Sequence, residues 1–277
     1  MIDRKNGLMK ISNPRFSGDR LEYFCPSWCL IGEDTPLDTT PTWGDNPKIG
    51  VVIGTYGFSN VIEEQLIWLK KNGCENILIH DDHSSEKKQL EELCKKYGAD
   101  FYYCKEKLFY CENIGSNGDL SAFNIGLLWA KQKGLDILIK LSRRLIPRCI
   151  WLDRFKELAV KVKVPTYSSY CEKDNMQIRT ECMAMSVEAW SNPNILYWMF
   201  FHITKDFPIF AEFWFDFIAK KLQFYCKNST GSKDYRTSGY CLWTDLLGTN
   251  RYSREGRLPG VDWHMFNDFK ETTNGTN

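Results

Sequence analysis

The sequence predicts an α/β protein built on a mostly parallel, twisted sheet with helices on both faces. Three observations carry this. Short, unalternated apolar runs such as KIGVVIGTYG (48–57), NILIH (76–80) and DILIKL (136–141) have the composition of strands buried on both faces. Segments of helical period lie between them. The two kinds alternate through about a hundred residues, the rhythm of βαβ units. Right-handed crossovers then leave few topologies.

The elements follow in order. Residues 1–47, rich in Pro, Gly, Asp and Thr, read as an irregular arm packing over the domain. After the first strand, NVIEEQLIWLKKNG (60–73) places Val61, Ile62, Leu66 and Leu69 at helical spacing, with Gly73 as the stop. NILIH is the second strand, DDHSS (81–85) a polar loop, and SEKKQLEELCKKYG (85–98) a helix stopped by Gly98. DFYYC (100–104) is the third strand. GDLSAFNIGLLWAKQKG (118–134) is a helix burying Leu120, Phe123, Leu127, Leu128 and Ala130, and DILIKL is the fourth strand. Beyond residue 150 come a helix (151–162), strands at 165–171 and 177–186, two aromatic helices within 195–222, and a Gly/Arg/Tyr-rich tail. With no repeat and no low-complexity linker, the chain reads as one continuous domain with an arm (1–47), a first half (48–147) and a second half with tail (148–277).

Lys and Arg number 36 against 35 Asp and Glu, so charge gives no reason to expect a polyanion partner, and no nucleic acid is expected. The odd count of 11 cysteines, many in apolar surroundings (Cys104, Cys182, Cys226), predicts buried thiols in a reducing, cytoplasmic setting. MIDRKNGLMKISN lacks the apolar run of a signal peptide. CPSWC (25–29) has the wrong spacing for a redox CxxC and no partner cluster for zinc. Lys205, Asp206 and Glu212 interrupt the apolar stretch 195–222, which reads as two core helices; a membrane-facing aromatic surface is its second reading.

Ligands of open parallel sheets bind beyond the carboxyl ends of the strands. Those ends supply Gly54, Thr55 and Tyr56, then Asp81, Asp82 and Ser84, then Ser142, Arg143 and Arg144. Two readings stand for each group. Thr55-Tyr56-Gly57 is a turn or a pocket wall; Asp82 or Ser84 caps the next helix or meets a ligand. HDDHS ends a buried strand with two adjacent carboxylates where a cap needs one, and the other must face water or a ligand. No Gly-x-Gly-x-x-Gly follows the first strand and there is no P-loop, which counts against a dinucleotide dehydrogenase.

VVIGTYG, ILIHDDHSS, ENIGSNGDLSAFNIGLLWA and DILIKL, in this order, resemble the donor half of GT-A (Rossmann-like) glycosyltransferases, most of all the family-2 type, over 48–147 and weakly to the end of the chain. The resemblance implies a smaller acceptor-side sheet and helix region, a nucleotide-sugar donor bound by 48–147, and a glycan or glycolipid acceptor bound by 148–277. It implies a hexosyl- or pentosyltransferase of polysaccharide biosynthesis. Thr55 and Tyr56 would line the nucleotide pocket. Asp82, with Asp81 as second choice, would meet base or ribose. Asn113, Gly115 and Asn124 match the segment that packs under the donor, and Asp119 would reach it.

The chain departs from the family at the fourth strand, where Asp-x-Asp usually holds Mg²⁺ or Mn²⁺ on the diphosphate. Here that place reads Lys140-Leu141-Ser142-Arg143-Arg144, a Lys-x-Ser-x-Arg form known from some enzymes acting on surface polysaccharides. The leaving diphosphate needs its charge stabilised in either form. Arg143 or Arg144, with Lys140, would do the metal's work; the other reading gives them structural ion pairs. An inverting transferase also needs a base. Glu212, among Phe210, Phe213 and Trp214, is the first candidate and Asp216, four residues on, the second. His264 in GVDWH is a further candidate near the diphosphate, and Arg179, Arg251, Arg254 and Arg257 are phosphate candidates. Trp198, Trp214, Trp243 and Trp263 are core residues or sugar-stacking platforms. Two rival readings remain: a non-catalytic relative that binds a sugar nucleotide or partner, and a nucleotidyltransferase, which needs the carboxylates the fourth strand lacks.

Overall fold

The computed structural model describes residues 2–3, 8–12, 20–24, 39–105, 110–111, 115–143, 145–147, 150–171, 177–192, 215, 219 and 261–263. The segment expected to be an irregular arm holds a small antiparallel sheet of Ile2–Asp3 (β1), Leu8–Ser12 (β2) and Arg20–Phe24 (β3). Its strands are short, and RLEYF offers too few alternations for a strand period to register.

The main sheet follows the predicted rhythm. Ile49–Thr55 (β4) leads to Ser59–Lys71 (α1), Asn76–Asp81 (β5), Lys87–Tyr97 (α2) and Asp100–Tyr103 (β6). Tyr110–Cys111 (β7) and Gly115–Ser116 (β8) pair with each other before Asn117–Gln132 (α3) and Ile137–Ser142 (β9). Leu145–Pro147 (β10), Leu152–Lys161 (α4), Thr166–Cys171 (β11), Gln177–Ser186 (β12), the short Val187–Trp190 helix (α5) and Val261–Trp263 (β13) complete the described elements. Six strands form one sheet in the order β11-β12-β9-β4-β5-β6. The β9-β4-β5-β6 set is parallel, whereas β12 runs antiparallel to β9 and β11 antiparallel to β12. The fold is the expected α/β, Rossmann-like class with a mostly parallel sheet. The two strands expected on the acceptor side extend this same sheet, and a separate two-stranded ladder joins β10 to β13.

Strand pleating sorts the side chains onto two faces. Ile49, Val51 and Ile53 of β4, Ile77 and Ile79 of β5, and Ile137, Ile139 and Leu141 of β9 meet Ile62, Leu66 and Leu69 of α1, Leu90 of α2 and Phe155 of α4 in one buried cluster. The alternate residues face α3. A Cβ on Gly50 would lie 2.8 Å from the Trp129 ring, and one on Gly54 would lie 2.9 Å from the Ala122 Cβ, so α3 packs where the strand has no side chains. Cys74, Cys94, Cys104 and Cys182 are buried free thiols; Cys226 and the cysteines of CPSWC lie outside the described residues. Burial raises the thiols of Cys74 and Cys104 to about 11 and that of Cys94 to about 12, which makes them poor nucleophiles. Of the aromatic stretch 195–222, Phe215 and Ala219 are described; both are helical and buried. Among the described residues no helix is long and apolar enough to cross a membrane.

The N-terminus of α4 is capped from another element. The Asn72 Oδ1, just past α1, accepts the backbone N–H groups of Trp151 at 2.8 Å and Leu152 at 3.2 Å, while its Nδ2 donates to the Trp68 carbonyl at 2.8 Å. One buried amide thus ends one helix and starts another. Asn72→Ala strips a cap and leaves buried donors unmet, so it should cost about 1–2 kcal/mol. The urea midpoint, at unchanged slope, measures this; an unshifted midpoint would show that the cap contributes nothing.

Candidate active site

Pairing brings the carboxyl ends of the four parallel strands level: Gly54 stands opposite Ser142, Thr55 opposite Asp81, and Asp81 opposite Tyr103. Three of the residue groups predicted from the sequence therefore share one edge, and each is held differently.

Asp81 is fully buried and turned into the framework. Its Oδ1 accepts the Gly57 N–H at 3.4 Å, and its Oδ2 accepts the Ser84 hydroxyl at 2.8 Å and the Ser84 N–H at 3.3 Å. Burial raises its carboxyl above the usual range, against the pull of these hydrogen bonds. Asp81 thus ties the loop after β5 to the loop after β4, and of the two adjacent carboxylates it is Asp82, 8% exposed, that stands nearer the surface. The Asp82 N–H donates to the Thr55 carbonyl at 2.9 Å, carrying the β4–β5 ladder one step past the strands. Glu86, the residue before α2, makes no side-chain cap of its own, and the Ser84 Oγ accepts the Glu86 N–H at 3.2 Å just ahead of that helix.

The start of α1 is occupied by a carboxylate from across the loop. Glu86 accepts the N–H groups of Phe58 at 3.1 Å and Ser59 at 2.8 Å. Burial works against its charged form, yet the bonds from Ser59 and Phe58 outweigh that, and its pKa is lowered. Gly57 has a φ of 74°, which favours glycine, and a Cβ there would lie 2.8 Å from the Glu86 Oε1 and push that carboxylate aside. Phe58 (φ 63°) and His83 (φ 59°) also adopt the left-handed region, uncommon for residues with side chains. Both lie just past the ends of β4 and β5. Thr55 is buried with its hydroxyl donating to the Gly57 carbonyl at 2.5 Å, whereas Tyr56 is 42% exposed.

The third group ends β9. The Gln65 Nε2, in α1, donates to the carbonyls of Ser142 at 2.9 Å and Leu145 at 2.6 Å, clamping both sides of the basic turn. The half-buried Arg143 crosses back to β4. Its Nη1 donates to the Tyr56 carbonyl at 3.2 Å, and its guanidinium carbon lies 4.3 Å from the centre of the Phe58 ring, a cation–π distance.

Lys140 sits one pleat earlier on the α3 face and is 1% exposed. Its Nζ is 2.5 Å from the Asp119 Oδ1 and 5.3 Å from the centre of the Phe123 ring. Lys140, expected at the diphosphate, is therefore buried beneath Asp119, whose own side chain is 29% exposed. On the same face, His80 of β5 is wholly buried, with Nε2 2.9 Å from the Ser121 Oγ and 3.3 Å from the Cys104 Sγ and its ring stacked on Tyr102. Burial lowers its pKa to about 4, against the opposing pull of Asp119. Asn124, also buried, lies on α3.

The described side chains at the end of β9 do not fit a divalent cation: Arg143 brings a positive group there, and the nearby carboxylate of Asp119 is paired with Lys140. Among the described residues no group of three or more His, Cys, Asp or Glu side chains is placed to hold a metal ion. Asn113, Arg144, Glu212, Asp216 and His264 lie outside the described residues, as do Arg251, Arg254, Arg257, Trp198, Trp214 and Trp243; Gly115, Arg179 and Trp263 are described by backbone alone. Sequence reasoning missed Glu86, Gln65 and His80. A Gln on an otherwise apolar helix stripe (Gln65, between Ile62 and Leu69) was the one visible sign.

No family model and no curated protein matches the chain. Among solved structures it is similar to glucosyl-3-phosphoglycerate synthase from Mycobacterium tuberculosis in complex with Mn²⁺, uridine-diphosphate and glucosyl-3-phosphoglycerate, at 16% identity over 55% of this chain and 65% of that one, with a TM-score of 0.38. It is also similar to a glycosyltransferase involved in the glycosylation of the major capsid of PBCV-1, at 10% identity over 56% and 66% of the two chains (TM-score 0.33). A third is a cytidylyltransferase from Leptospira borgpetersenii, at 16% over 51% and 61% (TM-score 0.34). The chain spans less than two thirds of the length of each.

The depressed His80 pKa has a consequence for stability. The unfolded chain takes up a proton near pH 6.5 that the folded chain refuses until about 4, so stability falls as pH drops through that window. The full effect is about 3 kcal/mol. His80→Gln should flatten the dependence of the melting temperature on pH between these values; parallel profiles for the two proteins would contradict it.

Proposed function

We propose that the chain is a GT-A-type glycosyltransferase that moves a sugar from a nucleotide-sugar donor to a glycan or glycolipid acceptor, by inversion and without a metal. The observation that carries this reading is the level edge of the parallel strands, where Thr55 and Tyr56, Asp82, and the Ser142-Arg143 turn stand side by side. Thr55, Tyr56 and Asp82 are assigned to the nucleoside, with Asp81 as the group that shapes their loop. Arg143, with Arg144, is assigned to the diphosphate. Arg143 lies at the mouth between β4 and β9, its Nη1 on the Tyr56 carbonyl and its guanidinium over the Phe58 ring, and a guanidinium fork suits phosphate oxygens. Backbone held in the left-handed region at Phe58 and His83, at the ends of two adjacent strands, supports a site here.

In the proposed reaction, a carboxylate takes the acceptor hydroxyl proton as that oxygen bonds to the anomeric carbon. The carbon–oxygen bond to the nucleoside diphosphate breaks on the opposite side, and the arginines stabilise the charge that leaves. Glu212 is assigned the base role, with Asp216 second and His264 near the diphosphate. Support comes from Phe215, whose ring centre lies 4.0 Å from that of Phe123, the ring under Lys140. Phe215, three residues past Glu212 and one before Asp216 in the sequence, thus meets the α3 face that carries Asp119. Cytoplasmic location, a role in polysaccharide synthesis and peripheral membrane contact belong to the same proposal.

Thermal-shift screening with UDP-, GDP-, CMP- and dTDP-sugars tests the donor site, because a ligand of the native state raises the melting temperature. At least one class should stabilise the protein without Mn²⁺, and Arg143→Met should shrink that shift. No response to any sugar nucleotide would remove the reading. Glu212→Gln should abolish transfer while leaving donor binding intact, and near-normal turnover in that variant would take Glu212 out of the role.

A further inference from the structure

The Lys140–Asp119 pair carries an inference beyond a donor site that grips phosphate with every nearby cation. Lys140 is 1% exposed, with its Nζ 2.5 Å from the Asp119 Oδ1 and the Phe123 ring behind it at 5.3 Å. Asp119 is 29% exposed and comes from the first turn of α3. Its Oδ1 lies 4.0 Å from where a Gly54 Cβ would stand, and Gly54 is the register partner of Ser142. Asp119 therefore covers Lys140 beside the turn that carries Arg143. A phosphate oxygen could touch the amino group only by displacing the carboxylate.

We propose that Lys140 is a positioning residue: it is the buried counter-ion of Asp119, and the neutral pair lets a carboxylate accept a donor hydroxyl next to a diphosphate. Alone, Asp119 would repel the phosphates; with Lys140 at contact distance its charge is cancelled while its side chain, 29% exposed, keeps acceptor capacity at the surface. The proposal rests on the donor-site reading and deepens it, removing Lys140 from the phosphate ligands and naming Asp119 as the hydroxyl acceptor. A carboxylate can take that hydroxyl from the ribose or from the transferred sugar.

The pair has a charge signature that a direct phosphate contact lacks. Lys140→Met leaves a bare carboxylate, so affinity for UDP or GDP should fall about tenfold, and adding Asp119→Asn should bring it back to within about threefold of the parent. The matching nucleosides, uridine and guanosine, should bind all three proteins alike within about twofold, because the repulsion acts on phosphate. Calorimetric titration reads both. A double variant as weak as Lys140→Met makes Lys140 a phosphate ligand and overturns the proposal; equal loss for nucleoside and diphosphate makes the pair merely structural and overturns it too. Absence of nucleotide binding by the parent protein overturns the donor-site reading itself, a distinguishable failure. In Asp119→Leu/Lys140→Met, loss confined to the nucleotide-sugar assigns the hydroxyl to the sugar, equal loss for diphosphate and nucleotide-sugar assigns it to the ribose, and no loss removes Asp119 as acceptor. Should the variants not fold, acetic anhydride labelling of the native chain decides by mass spectrometry. Lys140 should stay unmodified with and without UDP or GDP while exposed Lys71 and Lys131 react; a Lys140 that reacts and is then protected by nucleotide contradicts the assignment.

Discussion

An ammonium group in the middle of a hydrophobic sheet is tolerable only if its charge is met. Lys140, at 1% exposure between the apolar residues of β9, sets that condition for the whole α3 face. Asp119 meets it at 2.5 Å, which fixes where the first turn of α3 must lie. That turn can come so close because β4 has no side chain at Gly54, where a Cβ would lie 2.9 Å from that of Ala122. Removing Asp119 withdraws a carboxylate at contact distance from a buried ammonium and is expected to destabilise the fold. The glycine, the helix position and the carboxylate at the cleft are thus consequences of one buried cation.

The other face solves a different problem. Loops that end parallel strands expose backbone donors and acceptors, and here long polar side chains from distant elements satisfy them. Asp81 takes the Gly57 and Ser84 N–H groups, Glu86 takes the first N–H groups of α1, and Gln65 donates to the carbonyls flanking the basic turn. With Glu86 on its N–H groups, the start of α1 is not the anion site that helix N-termini often provide. An anionic ligand at this edge would then meet side-chain cations such as Arg143.

The sheet was legible in the sequence because its signals are local. Buried parallel strands need continuous apolar runs, and the helices between them repeat at 3.6, so VVIGT, NILIH and ILIKL fall within a residue or so of their observed places. The level edge followed from the parallel sheet alone. What escaped was nonlocal. Nothing near Glu86 in the chain shows that it caps α1, nor does anything near Asn72 announce α4, 79 residues away. The residues of HDDHS alone did not rank its two aspartates and the resemblance put Asp82 first; in the structure Asp81 is bound into the framework while Asp82, 8% exposed, stands nearer the surface. The Lys140–Asp119 contact was hidden for the same reason, since the partner sits on another element, 21 positions back in the chain. The short strands of the N-terminal sheet carry too few residues for a period to register.

The central claim is that cationic side chains at the end of β9 do the work that a divalent cation does elsewhere. Turnover of a nucleotide-sugar measured in excess EDTA tests it most directly. The account predicts a rate unchanged by EDTA and by added Mn²⁺; a rate abolished by EDTA and restored by Mn²⁺ would contradict it.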